Sequence, residues 1–123
     1  MDIVATEQLK EDPVQTVISF FEDYGVTKDS IEITEKKESS ESIQCSVRTN
    51  IILCGIDCMV EVNILYSIFA FTIVEVFITS SYKSGIDIRK SKSTVSKREL
   101  YNTLNDLFLR CRTELNMSLN SYF

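Results

Sequence analysis

Three groups of residues in this 123-residue chain could do chemistry: its cysteines, a pair of carboxylates in an apolar stretch, and a run of cations ahead of the last helix. The four cysteines are Cys45, Cys54, Cys58 and Cys111. Cys54 and Cys58 have CxxxC spacing, whereas zinc and redox sites more often use CxxC. With no histidine in the chain, a metal site would need all four thiols together. Hydrophobic alternation puts Cys45 on the inner face of a strand, and helical spacing puts Cys111 on an apolar stripe. The cysteines are therefore read as small packing residues, and no metal or cofactor is expected. The N-terminus MDIVATEQLKED lacks a basic start and an apolar signal core, so reduced thiols and a cytoplasmic location are expected. A Cys54–Cys58 hairpin disulfide would form only if the protein were exported.

Glu61 and Glu75 are the carboxylate pair. Acid–base work by two carboxylates needs both on one cleft wall. Glu61 fits the wet face of its strand without further explanation. Glu75 lies among Phe71, Ile73 and Phe77 and calls for a basic partner such as Arg48. A structural ion pair explains it better than catalysis. The missing histidine also removes the commonest general base, and three glycines leave no glycine-rich phosphate cradle. The chain reads as non-enzymatic, with no catalytic residues.

The cations Arg89, Lys90, Lys92, Lys97 and Arg98 precede a helix start, where unpaired N–H groups and the helix dipole attract phosphate. Aromatic interleaving is absent apart from Tyr82, so no base-stacking platform is indicated. A solvated basic loop is the simpler reading, and anion or nucleic-acid contact is the alternative. Charge is unevenly spread. Residues 1–42 carry eleven acids and four bases, residues 43–79 three acids and one base, and residues 80–123 four acids and eight bases, which together give −5. That balance does not describe a general polyanion binder.

The elements that must hold these residues follow from periodicity. Residues 1–11 show no period and are expected to be a mobile arm or a short extra helical turn. A helix over 12–25 is predicted by Asp12 as N-cap, Pro13 at the first helical position, Gln15 at capping-box spacing, apolar Val14, Val17, Ile18 and Phe21, and Gly25 as the stop. An antiparallel sheet is predicted over 31–88. Ile31–Lys37 is a short strand. Ile43, Cys45, Val47, Thr49, Ile51 and Leu53 share one phase of a long one. A turn at Gly55-Ile56-Asp57 leads to a strand from about Cys58 to Tyr66, and the next runs from about Phe69 to Thr79. Ile86 and Ile88 suit a short edge strand, with Arg89–Thr94 as a connector. Ser96 and Glu99 form a capping box, Val95 and Leu100 a hydrophobic staple, and Leu100, Leu104, Leu107, Phe108, Cys111 and Leu115 the stripe of a helix over 96–119.

The expected fold is therefore a single α+β domain, residues 1–123, with an antiparallel sheet of four to five strands and both helices packed on one face. The element order is similar to that of small acidic secretion-chaperone-like domains, although an internal helix common in that class is missing here. The resemblance is one of layout alone. It implies a dimer that holds protein clients.

The strand around 69–78 departs from simple alternation. Phe69, Phe71, Ile73 and Phe77 share one face, while Ala70, Val74, Val76 and Ile78 share the other, and two helices would cover only one of them. Glu75 interrupts its run, too charged for a membrane span. Phe69, Phe71, Ile73, Glu75 and Phe77, with Tyr122 and Phe123 at the C-terminus, are the expected self-association or partner surface. The expected role is a small cytosolic interaction module, namely a dimeric adaptor, chaperone-like protein or inhibitor, whose partner is another protein or a second copy.

Overall fold

Pro13–Asp23 folds as helix α1, with Val14, Val17, Ile18, Phe20 and Phe21 buried. Its end is set by Gly25, whose φ of +86° suits a residue without a Cβ. The Gly25 N–H donates to the Glu22 carbonyl and the Val26 N–H to the Phe21 carbonyl, the paired bonds of a Schellman cap. Val26 folds back against the core as the sequence suggests.

A computed structural model of the chain describes residues 13–37, 42–67, 72–80 and 85–120. The arm at 1–11, the Asp12 cap, and Phe69, Ala70, Phe71, Tyr122 and Phe123 lie outside the described residues. The strands are β1 (Glu32–Lys37), β2 (Ser42–Leu53), β3 (Ile56–Ser67), β4 (Thr72–Ser80) and β5 (Ile86–Val95), and helix α2 is Leu100–Asn120. They form an α+β fold with a five-stranded sheet in the order β1-β2-β3-β4-β5, every neighbouring pair antiparallel.

Within the sheet, two segments differ in assignment from the sequence reading. The β2–β3 turn is Cys54-Gly55, with φ of 53° and 78° and Leu53 paired to Ile56. Positive φ at both central residues is the type I′ pattern, whose twist matches that of the flanking strands. Ile56 and Asp57 therefore belong to β3. Residues 89–94 are not a connector, because β5 continues to Val95 with Lys90 opposite Val76 and Lys92 opposite Val74. The outer strand of a sheet needs no apolar alternation on its exposed face. Backbone pairing with β4 holds a segment whose side chains give no strand signal. A register irregularity between Thr72 and Val74 accompanies a positive φ of 60° at Thr94, and Val95 is again buried.

One face of the sheet forms the core. Cys45, Val47, Ile51 and Leu53 from β2, Cys58, Val60, Val62 and Ile64 from β3, Val74, Val76 and Ile78 from β4, and Ile86 and Ile88 from β5 are all buried there. Both helices pack on this face, α2 against β4 and β5, and α1 against β2 and α2. Each aliphatic side chain taken from water here stabilises the fold by about 1.5–3 kcal/mol.

Phe20 meets Phe108 edge-on at 5.5 Å between ring centroids, and Tyr24 meets Phe108 at 4.8 Å. The Tyr101 hydroxyl donates to Asp23, joining the helices at their exposed rim. At the start of α2, the Glu99 N–H bonds the Ser96 carbonyl in a 3₁₀ turn, so the α-helix proper begins at Leu100. The staple residues Val95 and Leu100 are both buried.

Candidate functional site

The other face of the sheet carries the outward phase of each strand, and neither helix crosses it among the described residues. Strand register arranges this face in rows. One row is Gln44, Leu65 and Ile73; the next is Ser46, Asn63, Glu75 and Ser91. A third is Glu32, Arg48, Glu61, Phe77 and Arg89, and a fourth is Asn50, Met59, Thr79 and Asp87. Apolar side chains thus stand at either end of a polar middle. Met59, Leu65 and Phe77 are half-buried by their neighbours, whereas Ile73 is 45% exposed and Ile52, near the β2–β3 turn, 72% exposed.

Asn63 sits at the centre. Its carbonyl accepts from the Ser46 hydroxyl, and its amide donates to Glu61 Oε2 at 3.3 Å and to Glu75 Oε1 at 3.2 Å. The two carboxylates singled out in the sequence are therefore neighbours, bridged by an amide. Glu75 also pairs with Arg89 Nε at 3.5 Å, and the Arg89 guanidinium lies 4.9 Å from the centre of the Phe77 ring. The expected partner of Glu75, Arg48, instead forks onto Glu32 at 2.9–3.0 Å. The correction has a simple cause. Glu75 and Arg89 are on adjacent strands, whereas Arg48 is two strands from Glu75 and one from Glu32. Thr79 Oγ1, on the same face, is buried with no hydrogen-bond partner.

This arrangement presents a surface of mixed polarity. A depression of about 220 Å³ is lined by Ser30, Glu32, Arg48, Thr49, Asn50 and Met59. It adjoins the Arg48–Glu32 pair and lies apart from the Glu61–Asn63–Glu75 bridge.

Of the expected partner surface, Ile73, Glu75 and Phe77 stand together on the open face; Phe69, Phe71, Tyr122 and Phe123 fall outside the described residues. The basic residues are not gathered into one site. Arg89 is on the open face with Glu75, and Lys90 is on the helix face, paired with Glu114 of α2. Lys92 is exposed further along β5, Arg98 is exposed in the turn before α2, and the Lys97 side chain is outside the described set. Adjacent strand residues point to opposite faces, so a basic run that is extended divides its charge.

The cysteines divide as well. Cys45, Cys58 and Cys111 are buried in the core, whereas Cys54 is exposed at the hairpin turn. Burial pushes the Cys111 thiol up to about 11, and its Sγ is 3.8 Å from the Val76 carbonyl oxygen to which it donates. Burial raises Cys58 as well. Such thiols are poor nucleophiles at neutral pH.

Asn63 is the residue of this site that sequence reasoning passed over, and Arg89, read there as part of the basic run, is the partner of Glu75. Asn63 was legible as a wet-face position of its strand, but its two carboxylate partners depend on cross-strand register. The chain matches no protein-family model, no curated protein and no solved structure. No helix among the described residues is long and apolar enough to cross a membrane.

Proposed function

We propose that this protein is a small, non-enzymatic interaction module of the adaptor, chaperone-like or inhibitor kind, acting in the cytoplasm and binding another protein or a second copy through the open face of its sheet. One observation carries the reading: both helices lie on one side of the sheet, and the other side holds Ile73, Phe77, Met59 and Leu65 around an ordered polar centre. A sheet face bearing large apolar side chains is commonly covered, and here the described chain does not cover it. Among the described residues, Glu61 and Glu75 are bridged by Asn63 on the open face, an arrangement that suits a structural network. The division of the basic residues between two faces weakens the anion-binding alternative.

Site-specific photo-crosslinking in cells that make the protein tests this directly. A photoreactive residue at Ile73 should give adducts with a protein chain, while one at Asn102, exposed on α2, should give few. Equal yields from the two positions would overturn the reading.

A further inference from the structure

The proposed interaction leaves open what covers the sheet. We infer that the occupant is a second copy of this chain, packed open face to open face about a twofold axis, an inference that rests on the reading above. Charge is the first argument. In a twofold contact each patch meets its own copy, so a face of one sign repels itself. The whole chain carries −5, and the described open face sets the acids Glu32, Asp57, Glu61, Glu75 and Asp87 against the bases Lys36, Arg48 and Arg89. Such a face of both signs does not select a strongly acidic or strongly basic partner. In a twofold contact residue i meets residue j and j meets i, so the acids of one copy can lie against the bases of the other.

Area is the second argument. Five strands about 4.8 Å apart, with some nine residues each at about 3.3 Å, make a face of roughly 700 Å². Two such faces in contact bury about 1,400 Å², within the range of roughly 1,200–2,000 Å² typical of stable, specific complexes. Sheets pack face to face at about 10 Å with outward side chains interdigitating, which suits Leu65, Ile73, Met59 and Phe77.

The third argument is the state of Glu61. It accepts one bond from Asn63 at 3.3 Å, while its cross-strand neighbour Arg48 is engaged with Glu32. Covering the face strips water from that carboxylate, and an arginine of the opposing copy would then compensate it. The Asn63 network thus sets the register of the two sheets, and the apolar rows supply the attraction.

Light scattering on the purified full chain should give twice the 14.1 kDa chain mass at micromolar concentration. Phe77→Glu should shift it to the monomer with its far-UV circular dichroism unchanged, and Leu109→Glu, on the outer side of α2, should leave it a dimer. Glu61→Arg, which would face the opposing arginines, should weaken the dimer by at least about tenfold. Photo-crosslinking from Ile73 in the otherwise unaltered purified chain gives chain-to-chain adducts if the inference holds, whether or not the charged variants fold. A 14.1 kDa species at high micromolar concentration, or a dimer unaffected by Phe77→Glu, overturns it. If Ile73 then crosslinks a different protein in cells, the interaction reading survives and only the identity of the partner changes. If it crosslinks nothing in either setting, both fail.

Discussion

Cys54 occupies a backbone position that favours another residue. Its φ of 53° lies in the left-handed region, where a Cβ is disfavoured and where Asn is more readily accepted. Its side chain is exposed at the turn, so it contributes little to the core. Cys54→Asn would give the Asn-Gly pair that type I′ hairpins prefer. It should stabilise the protein by about 0.5–1 kcal/mol, seen as a higher urea midpoint at unchanged slope. No gain in the midpoint would mean that the turn is not I′ in solution. Asn63 illustrates the opposite case, a residue unremarkable by type that structure makes central. Nothing in its own side chain reports that it bridges Glu61 and Glu75.

Helix α2 separates burial from composition at the scale of the element. Phe108 and Leu109 are consecutive and both apolar, but Phe108 is fully buried and Leu109 is 60% exposed. The 3.6-residue period turns neighbouring side chains about 100° apart, so one faces the sheet and α1 while the next faces water. Phe108→Ala should cost about 3–5 kcal/mol by opening a cavity against Phe20 and Tyr24. Leu109→Ala should change stability by less than about 0.5 kcal/mol. Paired urea melts distinguish the two, and similar losses would mean that α2 is rotated from the described orientation. This stripe was legible in the sequence, as was the inner phase of β2, because each is periodic within one element. The length of β5 was not, since it depends on pairing with β4, which local pattern does not report.

The whole molecule ties its stability to pH through thiols held in the core. Cys111 ordinarily titrates near 9.0 and is raised to about 11 by burial between α2 and β4. The folded state thus keeps this proton to a higher pH than the unfolded chain does. The contribution is fully present below about pH 9 and is lost as pH rises from 9 toward 11, by an amount on the order of 2 kcal/mol. Cys58, also raised by burial, acts in the same direction. Unfolding free energy should therefore fall across this window, and Cys111→Val should make the fall shallower. Identical pH profiles for the two proteins would show that Cys111 is not the titrating group. On the opposite side of the sheet, the open face gives the molecule its sidedness: one face is covered by its own helices, the other is mixed in charge and partly apolar.

Sequence alone determined the α+β class, the order of helices and strands, the inward phase of the central strands, the Gly25 helix stop and the apolar excess at Ile73 and Phe77. These follow from period, caps and backbone freedom, all of which act over a few residues. Tertiary structure alone decided that Glu75 pairs with Arg89 and not Arg48, that Asn63 joins two carboxylates from adjacent strands, and that the basic run divides between two faces. These depend on strand register and on which side of the sheet the helices occupy, and both are set by contacts between residues far apart in the chain.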